Sequence, residues 1–183
     1  MIEPIRKPID QVIVRPLIRH IDTRGYLTEL WREDEAGLPR PAMMYLSWTM
    51  AGVARGLHLH AGRHYKPSTE DPRLIDQVAP DAQSDYFLFN GPGNFRVVIF
   101  DARTQSPTFK HLMDFVVGED NPALVIVPPG TWHGYMALER CGMVINCPDQ
   151  LYAGPGRKLP VDEERIHPRT QNLFHFDWGI VED

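Results

Sequence analysis

The chain reads as an all-β protein, a sandwich or barrel built from many short strands. Three observations predict this. Short runs rich in apolar and β-branched residues recur along the chain, clusters of Gly, Pro and Asn separate them, and almost no stretch carries a helical period. With 183 residues, the length suits one domain over 1–183 that can bury a full core.

Taken in order, Val12 to Ile18 is a first extended segment, and Pro16 places it at a sheet edge. Asp22-Thr23-Arg24-Gly25 is a turn into Tyr26 to Trp31, which alternates as a strand does. The polar stretch from Arg32 to Arg40 is a loop with Gly37 and Pro39. Met43 to Thr49 is a strand that Met50-Ala51-Gly52 turns into the next one, Gly52 to His60. Residues 61–84 hold Pro67, Pro72 and Pro80 and show no period. They predict a long insertion loop, functional or mobile, that leaves directly from His60 as a candidate lid. Asp85 to Phe89 and Phe95 to Asp101 flank Asn90-Gly91-Pro92-Gly93-Asn94, the pattern of a hairpin with a five-residue loop. His111 to Val117 and Leu124 to Val127 follow, and Gly134 to Leu138 with Met143 to Cys147 form another pair. A helical turn is expected around Asp162 to Arg165, before an aromatic tail over Asn172 to Trp178 that must pack on something.

Composition excludes several roles. Hydrophobic residues are 43% and charged ones 23%, ordinary for a soluble globular chain. A net charge of −5 without a basic run argues against nucleic acid or a membrane surface as partner, and no apolar 18-mer appears. Met1 to Pro8 lacks the apolar core of a signal peptide, and Cys141 and Cys147 make no disulfide framework. A reduced, cytoplasmic protein is expected.

The run Gly52 to His60 carries the chemistry. His58 and His60 are two apart in a strand, so both imidazoles project from one face and suggest the floor of a small-molecule site. Arg55, three residues before His58, falls on the opposite face if pairing is regular, unless a bulge re-aims it.

Four motifs then resemble the dTDP-4-dehydrorhamnose 3,5-epimerase family. They are Asp22-x-Arg24-Gly25 with Glu29, Gly52-Val53-x-Arg55-Gly56-Leu57-His58, Asp101-x-Arg103-x-x-Ser106-Pro107-Thr108-Phe109, and Pro128-Pro129-Gly130-x-x-His133-Gly134-Tyr135. The resemblance implies a cupin-type double-stranded β-helix, or jelly roll. It further implies a homodimer and an isomerase acting, without a cofactor, on a nucleotide-linked 4-keto sugar. His58 matches the family's base, His133 and Arg55 match residues of its site, and Tyr152 matches a second family tyrosine. Arg24 and Glu29 match residues that bind the nucleotide, partly across the dimer. A base beside a ketone removes a proton, a donor holds the enolate oxygen, and an acid on the opposite face returns the proton. By alignment, the family's enolate-stabilising lysine falls on Tyr86, its strand aspartate on Val97 and its acid tyrosine on Asn146. Its C-terminal aspartate has no clear counterpart before Asp183.

His60 stands where the family usually has glutamine, and this opens a second reading. With His64 and His133, the spacing resembles that of metal-binding cupins, so His58, His60, His64 and His133 are an alternative ligand set for Zn, Fe, Ni or Mn. A metal-dependent dioxygenase or sugar isomerase, or a non-catalytic carbohydrate-binding cupin, are the alternatives to an epimerase. His20, His111, His167 and His175 have no partner spacing, and Trp48, Trp132 and Trp178 read as core or interface anchors.

Overall fold

A computed structural model describes residues 1–35 and 40–179, so part of the loop expected over Arg32 to Arg40, and the end of the chain at Asp183, lie outside the described residues. In chain order the strands are β1 (Ile5–Arg6), β2 (Ile13–Pro16), β3 (Arg19–Asp22), β4 (Gly25–Thr28) and β5 (Tyr45–Thr49). There follow β6 (Ala54–Leu59), β7 (Lys66–Pro67), β8 (Ile75–Gln77), β9 (Asp85–Phe89) and β10 (Asn94–Asp101). The last are β11 (His111–Gly118), β12 (Ala123–Val127), β13 (Thr131–Ala137), β14 (Gly142–Asn146) and β15 (Glu164–Arg165).

Two sheets face each other, ordered β1-β11-β10-β13-β6-β15 and β2-β12-β9-β14-β5. The jelly roll expected from the sequence is the observed fold, and β2 with Pro16 lies at a sheet edge. Three apolar layers hold it. Phe87, Phe89 and Val125 from one sheet meet Phe95, Ile99 and Tyr135 from the other in the central layer. Outside the six-stranded sheet, Leu57, Leu59, Phe100 and Trp132 pack under Leu74, Ile75, Leu173, Phe174 and Trp178. Leu17, Tyr86, Leu88 and Leu124 form a third layer outside the other sheet. The aromatic tail thus has its partner: Phe174 stacks on Phe100 with ring centroids 4.3 Å apart. Trp132 and Trp178 are core residues, whereas Trp48 is exposed.

Four local expectations are corrected. The runs around Asn90 to Asn94 do not form a hairpin, because β9 pairs with β12 and β14 while β10 pairs with β11 and β13. The same holds for β13 and β14, which lie in opposite sheets. A Gly-Pro cluster specifies that the chain reverses, and both strands are apolar on two faces, so each completes its hydrogen bonds inside its own sheet. Residues 61–84 are not a structureless loop: β7 pairs with β8, and Leu74, Ile75, Ala79 and Ala82 are buried. The turn expected around Asp162 to Arg165 is strand β15, which caps the open edge of β6. A short 3-10 turn occurs earlier, over Pro155–Arg157.

The Asp101 motif is a structural corner. The buried carboxylate of Asp101 accepts from Arg103 Nε (2.8 Å), Ser106 Oγ (2.7 Å) and Thr108 Oγ1 (2.7 Å). Its partners sit within seven residues, so the motif closes a turn at the end of β10 and lies outside the cavity that His58 lines.

The functional edge is shaped by a bulge. His133 pairs with His58 but Gly134 pairs with Gly56, which leaves Leu57 as an extra residue in β6. Leu57 turns into the outer core, and Arg55 comes onto the face that carries His58. The bulge needs glycine at 56, where φ is +110° and a Cβ would meet the His133 carbonyl oxygen at 2.7 Å. Gly56→Ala therefore lowers stability by about 2–4 kcal/mol, read as a fall of roughly 5–15 °C in melting temperature. An unchanged melting temperature contradicts this packing.

Candidate active site

One end of the sandwich opens into a cavity of about 400 Å³. Strand β6 supplies His58 to its wall and the residue just past its end is His60, while β9 supplies Asp85 and Phe87, and β5 supplies Tyr45 and Ser47. The segment around Asp162 and Glu163 closes one side.

His58 is half-buried on the wall, with Nε2 3.5 Å from Glu163 Oε1. Burial and the neighbouring His133 push its pKa down to about 4, against the pull of Glu163, so the ring is neutral at neutral pH. Glu163 also accepts from Arg165 Nε at 2.6 Å, which fixes its carboxylate. An acidic residue therefore does stand beside the candidate base. It comes from a point ahead of β15, and sequence reading missed it because nothing in the spacing links residues 58 and 163.

Behind His58 lies a buried cluster. Asp85 Oδ2 is 3.1 Å from His60 Nε2 and 3.1 Å from His133 Nε2, while Asp85 Oδ1 accepts from Asn146 Nδ2 (2.8 Å) and Gln83 Nε2 (3.0 Å). Burial alone would raise the Asp85 pKa, but the charge on His60 and contacts from both histidines hold it well below the usual carboxylate range. Burial would likewise lower His60, and the Asp85 carboxylate outweighs it, raising its pKa to about 9. His60 Nδ1 faces the Asp162 carbonyl, and His133 Nδ1 lies 3.1 Å from the Thr131 carbonyl. The ring of His133 stands edge-on to that of His58, 6.2 Å between centroids.

The alignment positions resolve differently from expectation. Tyr86 points away from the cavity into the outer core, and Val97 is packed between the sheets. The carboxylate beside His133 comes instead from Asp85, across the sandwich on β9. The visible signal was a lone acid opening the apolar run Tyr86-Phe87-Leu88-Phe89. Asn146, in place of the acid tyrosine, holds Asp85 and accepts the Tyr86 N–H at 3.1 Å.

Of the remaining candidates, Arg55 and Tyr152 line the cavity, Tyr152 at its exposed rim. Arg55 donates to Thr49 Oγ1 and to the Trp48 carbonyl, both at 2.8 Å. Arg63, Arg157 and Arg165 join it in the lining. Arg63 pairs with Asp81 and Arg165 with Glu163, whereas Arg55 and Arg157 have no carboxylate partner among the described residues. His64 is exposed and lies outside the cluster and the cavity lining. Arg24 is exposed in its turn, paired with Asp22 at 2.6 Å, and Glu29 lies on the surface 3.5 Å from Arg32, so neither reaches this cavity.

Buried imidazoles and carboxylates beside a jelly-roll cavity are groups of the kind that enzymes use to move protons. Comparison with known proteins names the family. A family model described as dTDP-4-dehydrorhamnose 3,5-epimerase matches residues 76–171. The chain is 34% identical over 173 residues to the "probable low-salt glycan biosynthesis epimerase Agl13" of Haloferax volcanii, covering 93% of this chain and 95% of that one. It is 30% identical over 171 residues to the "spore coat polysaccharide biosynthesis protein SpsL" of Bacillus subtilis, covering 93% and 97%. The chain belongs to the dTDP-4-dehydrorhamnose 3,5-epimerase family, whose members are sugar epimerases of the isomerase class. The fold agrees with a dTDP-4-dehydrorhamnose 3,5-epimerase of Bacillus anthracis solved with TDP and pyrophosphate bound (TM-score 0.72, 21% identity, 98% of this chain and 91% of that one). It also agrees with a dTDP sugar isomerase of Desulfovibrio desulfuricans (TM-score 0.71, 21% identity, 96% and 95%).

Asp162 joins the closing segment to both ends of residues 61–84. The Asp162 carboxylate accepts the N–H groups of Ala61 (3.0 Å), Gly62 (2.7 Å) and Gln83 (3.0 Å), so it ties both ends of residues 61–84 to the wall. Asp162→Ala leaves these donors unpaired and is expected to cost about 2–4 kcal/mol. Hydrogen exchange should quicken at 61, 62, 83 and 160–166 ahead of the rest of the chain. Unchanged protection there contradicts the assignment.

Proposed function

We propose that this epimerase acts on a nucleotide-linked keto sugar by proton transfer beside the carbonyl, with His58 as the base. The observation that carries the reading is the His58–Glu163 pair on a cavity that also presents Arg55 and Arg157 without carboxylate partners. His58 takes the proton from the carbon next to the ketone, and the electron pair moves onto the carbonyl oxygen. Tyr152 at the rim returns a proton from the other side, which inverts the centre. His133 backs His58 in the imidazole wall. Arg55 and Arg157 supply the planar donor forks that a diphosphate takes up.

The exposed apolar side chains of Leu46, Trp48 and Met44, on and next to β5, support a homodimer, in which Arg24 and Glu29 serve the nucleotide of the second copy's site. The relatives' names support a place in glycan or polysaccharide biosynthesis. No helix among the described residues is long and apolar enough to cross a membrane, and both cysteines are free, which supports a cytoplasmic setting.

Incubation with dTDP-4-keto-6-deoxyglucose in deuterated water tests the reading. Deuterium is expected at carbon 3 or carbon 5, and His58→Asn should slow its entry by about 10²–10⁴-fold. Absence of exchange at both carbons, together with no binding of dTDP, would sink it.

A further inference from the structure

The cluster behind His58 has the form of a ligand set. We propose that His60 Nε2, His133 Nε2 and Asp85 Oδ2 bind one divalent first-row transition ion, such as Zn²⁺, in the floor of the cavity. The three donor atoms lie within 4.8 Å of one another, and all three residues are buried. Each nitrogen is 3.1 Å from the shared oxygen. Tetrahedral zinc with bonds of about 2.1 Å sets neighbouring donors about 3.4 Å apart, close to these two separations.

Proton placement points the same way. Both Nδ1 atoms face backbone carbonyls, which only accept, so both Nδ1 atoms carry hydrogen. An incoming ion displaces any proton at Nε2, and each neutral ring then presents its Nε2 lone pair to the cluster. Metal-binding histidines use this arrangement to fix their orientation. His133 is 3% exposed, yet its Nε2 has no hydrogen-bond partner. Asp85 Oδ2, 3.1 Å away, is close enough for an ion pair but does not satisfy that nitrogen as a hydrogen-bond partner. The Gln83 amide nitrogen lies 3.2 Å from His60 Nε2 and keeps its bond to Asp85 Oδ1 when the ion takes the imidazole lone pair.

The outer contacts complete the picture. Asn146 and Gln83 hold the far oxygen of Asp85, and the Tyr45 hydroxyl, 2.8 Å from Asn146 Nδ2, holds Asn146 in turn. Two imidazoles and one carboxylate suit zinc, iron, nickel or manganese, and leave coordination positions open for the ligand in the cavity. His60 and Asp85 both line that cavity. His64, and the proton-transfer base His58, fall outside the set. The ion's role rests on the function proposed above: next to His58, it would hold the negative charge that enolisation places on the carbonyl oxygen, where this chain lacks the expected lysine.

The test uses full-length, untagged protein stripped with a chelator and titrated with Zn²⁺, Mn²⁺, Fe²⁺ and Ni²⁺. Bound metal is read by elemental analysis and stability by thermal melting. Close to one ion per chain is expected for at least one metal, with a raised melting temperature. Asp85→Asn and His133→Ala should each weaken binding at least tenfold, and Asn146→Ala by about 10–100-fold through loss of orientation. His58→Ala should bind with unchanged stoichiometry. Circular dichroism confirms that each variant is folded, and His60→Gln serves where one is not. Less than a tenth of an ion per chain for all four metals overturns the proposal, as does equal binding by the Asp85, His60 and His133 variants. If an ion binds but no deuterium enters the sugar, the metal site stands and the sugar reading fails. If deuterium enters but no metal binds, the sugar reading stands and the metal site fails.

Discussion

Asp85 carries a negative charge to the seam between the two sheets, where it is 2% exposed and has four polar neighbours. An unpaired carboxylate there would cost several kcal/mol, so the surrounding groups must be in place for the fold to form. Three of those groups come from other strands or their ends, His60 just after β6, His133 on β13 and Asn146 on β14, and the fourth, Gln83, lies just ahead of β9. One carboxylate thereby sets the spacing of the imidazole wall from the opposite sheet, and it does so only because the strands around it are fixed in register.

That register depends on the bulge at Leu57. Without the extra residue, Arg55 and His58 would occupy opposite faces, and the cavity would lose a guanidinium group on the side where His58 projects. Gly56 makes the bulge possible, and the Gly130 N–H secures the next turn by donating to the His60 carbonyl at 2.7 Å. Asp162 then closes the site, taking the N–H groups of residues 61, 62 and 83 with its carboxylate while its carbonyl receives His60. Function and fold share these atoms, so the site has little freedom to drift.

The local signals were legible in the sequence, and the tertiary ones were not. Apolar runs and turn residues marked β2, β5, β6 and β10, alternation marked β4, and His58 with His133 stood out through motifs that recur in the family. Pairing across sheets was hidden, because a Gly-Pro reversal between Phe89 and Phe95 looks the same whether the strands become partners or cross the sandwich. Continuous apolar runs such as Leu124 to Val127 do not reveal which core layer each side chain meets. Asp85 and Glu163 escaped notice for a related reason. Each is an ordinary acid in its own neighbourhood and acquires its role only beside histidines that lie 25 or more residues away. His64 shows the opposite error: regular spacing suggested a ligand, but the strand ends at Leu59 and the chain turns His64 into solvent.

The central claim is that Asp85 gathers His60 and His133 while backbone carbonyls fix both rings with hydrogen on Nδ1. Long-range ¹H–¹⁵N correlation spectra of the metal-free protein, with the histidines assigned by substitution, test it most directly. Both His60 and His133 are expected to carry a protonated Nδ1. A bare Nδ1 on either ring would contradict it.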